Sequence, residues 1–319
     1  MSEKIVYLNG VFVPENEAKV SVLDSGFNAG DGVYDVTRTF AHQPFRLRDH
    51  TARLFRSLRY TRIDCGLSIE QMEQATLAVL ERNRPTLAKD EDVAIWQVVS
   101  RGMRSSRGNH SLGKATVAIY CISIGFEEFA RDYLDGVKLV IPSTRRIPPQ
   151  CLEPKAKINN KMNHNMAIFE ARQVDPHAIP LMLDLDGNIS ESNAHNFFLV
   201  LDGKLCTPLN KNVLDGITKQ VVHELAANLE IEVVEGNFTA YDAYNAEEAF
   251  LASTSPTILP VQSINGVRPT QEIPGPMTRR LIQAWNELVG LDIVEQALGH
   301  LESTERDRLL KEWRSRSAS

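Results

Sequence analysis

Cysteine is scarce in this chain of 319 residues, and its four cysteines do not form a CxxC pair. Such sparse, scattered thiols indicate neither a disulfide framework nor a zinc or redox site, so no bound metal is expected. Each thiol is predicted to be reduced and mostly buried. The four are Cys65, Cys121, Cys151 and Cys206.

Long apolar runs and excess positive charge are also missing. No uncharged apolar run approaches the roughly 18 residues of a membrane-spanning helix, and residues 1–4 lack the basic start and apolar core of a signal peptide. A net charge of −6 does not indicate the positively charged surface that binding to nucleic acid usually requires. We therefore expect a cytoplasmic protein with neither a membrane nor a nucleic acid as partner.

The composition that is present is typical of a soluble globular protein, with 43% hydrophobic and 24% charged residues. The length exceeds what one hydrophobic core usually reaches, so two domains are expected. A charged stretch at 127–135 lies between two strand-like runs and is the predicted connector. We expect a small domain at 1–126, a larger domain at 136–301, and a solvated C-terminal helix and tail at 302–319.

The order of strand-like and helix-like segments predicts an α+β fold. Asn9-Gly10 between two apolar runs predicts a tight hairpin, and residues 34–40 alternate as in a strand. The elements expected in the second half are helices near 159–173 and 218–229 and strands near 196–201 and 248–252.

The segment 214–218, Leu-Asp-Gly-Ile-Thr, precedes an amphipathic helix and is a candidate anion site. A glycine-containing turn that feeds a helix offers backbone N–H groups and the positive end of the helix dipole, which together favour a phosphate. The alternative is an ordinary helix start in which Thr218 caps the first turn. Ser253 and Thr254 at a predicted strand end add hydroxyls, although such residues are commonly part of a turn.

Lys157 and Glu191 become candidate functional residues only when they are considered together with other segments of the chain. Alone, Lys157 is most simply a solvated surface lysine, and Glu191 is a loop carboxylate. Together with other segments in chain order, they resemble the class IV aminotransferases, which are the fold-type IV pyridoxal phosphate enzymes. The resemblance runs from about Tyr7 to Leu288 and rests on Arg53, Lys157 with Glu170 thirteen residues on, Glu191 with Asn196, segment 214–218, and Ala252-Ser253-Thr254.

The resemblance implies a fold, a cofactor and an assembly. The fold would be that of a two-domain fold-type IV enzyme, with a small N-terminal α/β sandwich and a larger C-terminal pseudo-barrel domain. The cofactor would be pyridoxal 5'-phosphate. In this family the active site takes a loop from a neighbouring subunit, so a homodimer with a shared active site, or a larger assembly, is expected.

Lys157 matches the family lysine that forms the internal aldimine and then moves a proton between the substrate α-carbon and the cofactor. Either role requires an uncharged amine, which desolvation and nearby positive charge would favour. Lys155 and Lys161 are rivals by position. The distance of thirteen residues to Glu170 matches the family for Lys157, whereas Lys161 lies only nine residues away.

The resemblance also implies contacts to the pyridine ring and to the phosphate of the cofactor. Glu191 matches the carboxylate that pairs with the pyridine nitrogen and so makes the ring an electron sink. Leu214 would pack on the ring face, and Asn196 would support the site. The implied phosphate contacts are Arg53, the backbone amides of Ile217 and Thr218, and the Thr254 hydroxyl.

Two residues bear on the substrate. Tyr34 lies in a segment similar to that of D-amino-acid aminotransferases and would help to hold a substrate carboxylate. Arg107 lies in a loop that resembles (R)-selective amine transaminases and would bind a keto-acid carboxylate, and its alternative is an exposed arginine without a ligand. The leading hypothesis is amino transfer from an (R)-amine or D-amino acid to pyruvate or 2-oxoglutarate.

The chain fits no subgroup of the family in full. Ala29 replaces a histidine of the (R)-amine transaminases, Met162 replaces an aromatic residue of the branched-chain enzymes, and Lys219 replaces the usual arginine after Gly-Ile-Thr. Three alternatives therefore stay open. They are a branched-chain L-amino-acid aminotransferase, a lyase of the aminodeoxychorismate type, and a non-catalytic, ligand-binding relative.

Overall fold

The structure, a computed structural model, describes residues 3–103 and 114–317. The contacts within the chain divide it into two compact units. The first is Met1–Ile124 with Ala156–Lys161, and the second is Gly125–Lys155 with Met162–Ser319. Each unit contains a β-sheet and helices, which confirms the predicted α+β class with two sheet domains.

Six strands form the sheet of the first unit: β1 (Ile5–Leu8), β2 (Val11–Pro14), β3 (Gly32–Phe40), β4 (Gln43–Pro44), β5 (Val93–Ser100) and β6 (Thr116–Ser123). They lie in the order β2-β1-β6-β5-β3-β4, and the neighbours pair antiparallel. The predicted hairpin between β1 and β2 is confirmed. Asn9 and Gly10 both have positive φ, at 52° and 98°, a conformation that these two residue types tolerate.

The helices of the first unit, among the described residues, are α1 (Ser25–Ala29), α2 (Leu47–Thr61) and α3 (Ile69–Asn83). Apolar side chains of α2 and α3, such as Leu54 and Met72, pack into the core that the sheet forms. On α2, His50, Arg53 and Ser57 are also buried. They recur every three or four residues, so they lie on one face of the helix.

A short segment of the later chain returns to pair with the beginning of β3. The Lys157 carbonyl accepts from Tyr34 N–H at 3.0 Å, and Asn159 N–H donates to the Gly32 carbonyl at 2.9 Å. In the sequence this segment lies inside the predicted larger domain. Its contacts group Ala156–Lys161 with the first unit instead, because its backbone pairs with a strand of that unit.

Eight strands form the sheet of the second unit: β7 (Val137–Val140), β8 (Ile179–Leu183), β9 (Ile189–Ser192), β10 (Asn196–Leu201), β11 (Lys204–Pro208), β12 (Val233–Gly236), β13 (Glu248–Ser253) and β14 (Thr257–Ile264). Their order is β12-β11-β10-β13-β14-β7-β8-β9. The strands β10 and β13 are buried along nearly their whole length. Burial on both faces explains why their sequences are apolar runs rather than alternating patterns.

The helices described in the second unit are α4 (Asp132–Asp135), α5 (Met162–Val174), α6 (Ile217–Asn228), α7 (Ala240–Tyr244), α8 (Pro276–Val289), α9 (Ile293–Gly299) and α10 (Ser303–Ser317). The predicted helices near 159–173 and 218–229 are confirmed as α5 and α6. The expected solvated helix forms as α10, but it buries Leu309 and Trp313 and is therefore packed. Within the described residues, no helix has the length and apolar character needed to cross a bilayer.

Candidate active site

Lys157 is held in the first unit through both of its backbone polar groups. Its N–H donates to Ser57 Oγ at 3.0 Å, and its carbonyl accepts from Tyr34 N–H at 3.0 Å. Its Nζ lies 4.8 Å from the centre of the Tyr34 ring. The structure therefore brings together the lysine predicted to be catalytic and the tyrosine predicted to bind substrate.

The Tyr34 ring belongs to a stack of three aromatic rings across the sheet. It lies 5.3 Å from the Trp96 ring at an angle of 10°, and Trp96 lies 6.2 Å from Tyr120 at 4°. Successive residues of a strand point to opposite faces, so Val33 enters the core while Tyr34 points to the other face. The stack holds the Tyr34 ring in one orientation beside the lysine.

A buried ion network lies between α2 and β3. Asp35 accepts from Arg53 Nε and Nη2, each at 2.8 Å, and from His50 Nδ1 at 2.7 Å. All three side chains are buried. The two-point contact fixes the plane of the guanidinium, so Arg53, the predicted phosphate ligand, has a defined orientation.

The charges of this network are set by burial and by the partners. Burial opposes the negative charge of Asp35, but Arg53 and His50 outweigh it and hold the pKa of this carboxyl far below its usual value. Burial is the main cause that lowers the pKa of His50. Asp35 raises this pKa, whereas the positive charges of Arg53 and Lys157 lower it, and the net shift is downward. His50 is therefore neutral near pH 7, and its Nδ1–H donates to the Asp35 carboxylate.

In the second unit the predicted carboxylate, Glu191, is buried on β9. Its Oε1 accepts from Arg146 Nε at 3.0 Å, and its Oε2 accepts from Leu214 N–H at 2.9 Å. Both oxygens are thus fixed, one by a cation and one by the backbone. The structure brings Glu191 next to Leu214, two residues that the sequence assigned to the pyridine ring.

Arg146 is a functional candidate that the sequence did not identify. Its loop is held by Glu170 of α5, whose Oε2 accepts from Ser143 N–H at 2.6 Å. The sequence shows an Arg145-Arg146 pair, but nothing in its spacing relates it to Glu191, which is 45 residues away. The link forms only when the loop and β9 are brought together in the sheet.

The start of α6 has the features of an anion site. Gly216 is its N-cap and supplies no side chain to the amides of Ile217 and Thr218. The alternative, in which Thr218 is the N-cap, is therefore wrong. Asn196 Nδ2 donates to the Leu214 carbonyl at 2.9 Å and fixes the turn. A Cβ on Gly216 would collide with Asn196 Oδ1, so the close approach requires glycine.

The remaining predicted residues are placed as follows. Thr254 follows the end of β13, where Ala252 pairs with Asn196 at the start of β10, so Asn196 and Thr254 lie at the same end of these two neighbouring strands. Lys219 is buried and its Nζ lies 2.9 Å from Glu235 Oε1, so this departure from the family pattern forms an internal ion pair. Arg107 lies outside the described residues.

These groups match the chemistry of pyridoxal phosphate, which carries an aldehyde, a pyridine nitrogen and a phosphate dianion. The first unit offers the Lys157 amine and the Arg53 guanidinium. The second offers the Glu191 carboxylate and the amides at the start of α6, with a cradle that a Cβ on Gly216 would obstruct. Within each unit, the groups therefore fit the part of the cofactor that they match. Across residues 3–103 and 114–317, no group of three or more His, Cys, Asp or Glu side chains could hold a metal ion.

Comparison with known sequences gives one consistent result. Residues 32–264 match the family model described as amino-transferase class IV. The chain is 34% identical over 285 residues to a putative branched-chain-amino-acid aminotransferase of Methanocaldococcus jannaschii, covering 89% of this chain and 96% of that protein. It is 28% identical over 285 residues to the branched-chain-amino-acid aminotransferase of Escherichia coli K12, covering 88% and 91%.

Comparison with solved structures agrees. The branched-chain aminotransferase of Escherichia coli has a TM-score of 0.84 at 28% identity, covering 90% of this chain and 95% of that one. The enzyme of Thermoproteus uzoniensis with norvaline has a TM-score of 0.77 at 33% identity, covering 91% and 96%. The holo form of the Thermobaculum terrenum enzyme, with pyridoxal phosphate, has a TM-score of 0.78 at 27% identity, covering 90% and 94%. These matches confirm the predicted fold-type IV architecture.

Proposed function

The chain belongs to the class IV aminotransferases, and on that premise we propose that it transfers amino groups from branched-chain L-amino acids to a 2-keto acid, with pyridoxal 5'-phosphate on Lys157. The family makes the protein a pyridoxal-phosphate-dependent transaminase. One observation supports the substrate class: relatives and solved structures that cover 88% to 90% of this chain are named as branched-chain aminotransferases. It favours this alternative over the leading hypothesis of an (R)-amine or D-amino-acid donor.

We assign to Lys157 the covalent attachment of the cofactor and the transfer of the substrate α-proton. When bound, pyridoxal phosphate supplies the electron sink for the α-carbon. Proton transfer demands that the amine stay close to the reacting carbon. The contacts of the Lys157 backbone with Ser57 and Tyr34 support the assignment, because they fix the point from which the side chain extends.

Two further assignments concern opposite ends of the cofactor. Glu191 holds a proton on the pyridine nitrogen, a role supported by its fixed carboxylate between Arg146 and Leu214. Arg53 binds the phosphate, supported by the orientation that Asp35 imposes on its guanidinium. The other proposed contacts are the ring contact of Leu214, the supporting contact of Asn196, the amides of Ile217 and Thr218, and the Thr254 hydroxyl.

Tyr34 supports a second candidate, the D-amino-acid or (R)-amine donor. Its ring centre lies 4.8 Å from Lys157 Nζ, and a phenol hydroxyl at such a site can donate to a substrate carboxylate. The segment around Tyr34 is similar to that of the D-amino-acid enzymes. Arg107, the other residue of this hypothesis, lies outside the described residues.

Steady-state assays with single enantiomers test the substrate class. We expect turnover of L-leucine, L-isoleucine and L-valine with 2-oxoglutarate or pyruvate as acceptor. Turnover confined to D-alanine or (R)-1-phenylethylamine would reject the branched-chain proposal in favour of the second candidate. Release of pyruvate from 4-amino-4-deoxychorismate, with no keto acid added, would instead indicate the lyase reaction.

Borohydride reduction of the holoprotein, followed by peptide mapping, tests the cofactor assignment. We expect one cofactor label per chain, on Lys157. Label on a different side chain would contradict the assignment. A protein that shows no cofactor absorbance and takes up no label would be the non-catalytic, ligand-binding relative.

We further propose a homodimer in which a neighbouring subunit contributes to the active site, as the family resemblance implies. Size-exclusion chromatography with light scattering should give twice the chain mass of 35.7 kDa. A monomer with full activity would contradict a shared active site.

A further inference from the structure

Ser57 is a buried hydroxyl that joins two functional elements of the first unit. It lies on α2 one turn after Arg53, and its Oγ donates to the Arg53 carbonyl at 3.2 Å. The same oxygen accepts from Lys157 N–H at 3.0 Å, across 100 residues of sequence. Ser57 therefore connects the helix that carries Arg53 to the backbone of Lys157.

Ser57 and strand β3 each bind one of the two backbone polar groups of Lys157. The Lys157 carbonyl accepts from Tyr34 on β3. If the ladder continued, the Lys157 N–H would bond to the same strand, but it donates to Ser57 instead. A buried N–H group without a partner is unfavourable, so loss of the hydroxyl would release this end of the segment.

A second primary amine lies close enough to compete with Lys157. The Lys161 Nζ is 5.4 Å from the centre of the Tyr34 ring, against 4.8 Å for Lys157 Nζ. Both lysines lie on the segment Ala156–Lys161 and have the same intrinsic chemistry toward an aldehyde. The position of the backbone must therefore decide which amine reacts.

We propose that Ser57 is a positioning residue that selects Lys157, rather than Lys161, as the lysine that holds the cofactor. The inference rests on the proposed function, since it needs a cofactor aldehyde at this site. Ser57 acts through the Lys157 backbone, whose position sets how far the flexible side chain can reach. A small displacement of a reacting group is enough to change its reactivity greatly.

The test is Ser57→Ala, equilibrated with pyridoxal 5'-phosphate, reduced with borohydride and mapped for labelled lysines. Wild-type protein should carry its label on Lys157. The variant should bind the cofactor about tenfold more weakly and divide its label between Lys157 and Lys161. Adding Lys161→Ala in the same background should remove the second label.

Thr61→Ala is the matched control. Thr61 lies one turn further along α2, and its hydroxyl bonds the carbonyls of Ser57 and Leu58 within the helix. This variant should keep the affinity and the label pattern of the wild type. Ser57→Cys keeps a small side chain with a weaker hydrogen-bonding group, and should shift the label in the same direction by a smaller amount if Ser57→Ala does not fold.

Two kinds of failure can be told apart. Weaker binding with all label still on Lys157 would overturn the proposal, because Ser57 would then affect cofactor affinity without selecting the lysine. A Ser57→Ala protein that matches Thr61→Ala, or a Ser57→Cys protein labelled only on Lys157, would do the same. Wild-type protein without label on Lys157 would overturn the proposed function, whatever the variants show.

Discussion

The two units hold their candidate site residues by different physical means. In the first, the charge of Arg53 is balanced by the buried carboxylate of Asp35, with a neutral His50 as the third member. In the second, Glu191 lies between Arg146 and one backbone N–H. The start of α6 offers backbone amides at a glycine N-cap.

Because of this difference, a substitution should lower either the stability of the fold or the binding of the cofactor, depending on which kind of contact it removes. A buried ion network leaves an uncompensated charge when one member is removed, so its loss weakens the fold. Backbone donors cannot be removed by changing their own side chains, and they depend on the local geometry of the turn. We therefore expect changes in the Asp35 network of the first unit to act mainly on stability, and changes to Glu191 or to the turn at Gly216 in the second to act mainly on cofactor binding and turnover.

Asp35→Asn should have the largest effect, lowering the free energy of unfolding by about 3–5 kcal/mol. The amide cannot neutralise Arg53, and its NH2 group faces other donors. Denaturant unfolding of the holoprotein measures the loss. The pKa of Asp35 is held below its usual value, so its contribution is present above pH about 4 and is lost as the pH falls further.

Asp31→Asn is the control for this prediction. Asp31 pairs with Arg101 at 2.7 Å, but both side chains are partly exposed, at 28% and 21%. Its loss should cost about 1 kcal/mol or less. Equal losses in the two variants would show that the buried Asp35 network contributes no more stability than a partly exposed ion pair.

Much of the fold could be predicted from local pattern. Asn9-Gly10 specifies its turn through backbone conformation, and the helices at 162–174 and 217–228 follow from periodicity. The pairing of 156–161 with β3 could not be predicted, because the contact joins segments more than 100 residues apart and leaves no local signal. The packing of α10 through Leu309 and Trp313 was not predicted, because the many charged residues around these two buried positions indicate a solvated helix.

Some residues of the candidate site could likewise be predicted from the sequence, whereas others could not. Lys157, Glu191 and segment 214–218 could be found because family resemblance preserves residue type and spacing. Their roles stay predictions. Asp35 and Arg146 act through partners that are distant in sequence, at 18 and 45 residues, so only the folded chain reveals them.

Glu191→Gln tests the second unit and should lower kcat by about 10²–10³-fold, or roughly 3–4 kcal/mol in the barrier. The neutral amide cannot hold a proton on the pyridine nitrogen. Glu191 accepts from Arg146 and from one backbone N–H, fewer bonds than Asp35 accepts from Arg53, His50 and Val36 N–H, so the loss of stability should be smaller than for Asp35→Asn. Steady-state kinetics and denaturant unfolding measure both quantities.

Glu248→Gln is the control for Glu191→Gln. Glu248 is equally buried in the second unit, where it accepts from the backbone N–H groups of Met277 and Thr278 at 2.8 Å each. This variant should lose stability and retain kcat once the cofactor is saturating. A similar fall in kcat for both variants would mean that any buried glutamate of this unit supports turnover.

Gly216→Ala addresses the backbone donors and should weaken cofactor affinity about tenfold, or about 1.4 kcal/mol. The added methyl group collides with Asn196 Oδ1 and displaces the turn at the start of α6. Excess pyridoxal phosphate should restore most of the activity. Gly299→Ala is the control, because nothing lies within 4 Å of its Cβ position, and an affinity as weak as that of Gly216→Ala would refute the role of the turn.

His50→Gln should have the smallest effect, no more than about 1 kcal/mol at pH 7.5, because His50 is neutral there and glutamine can also donate to Asp35. Burial lowers the pKa of His50, so the unfolded chain binds a proton near pH 6.5 that the folded protein does not bind. This one proton should therefore lower wild-type stability as the pH drops from about 6.5, by up to about 1.4 kcal/mol per pH unit, against the opposite contribution of Asp132, whose pKa burial raises to about 6. Denaturant unfolding between pH 7.5 and 5 should show a shallower loss of stability for His50→Gln than for the wild type, because Asp132 is the same in both proteins, and equal slopes would contradict the role of His50.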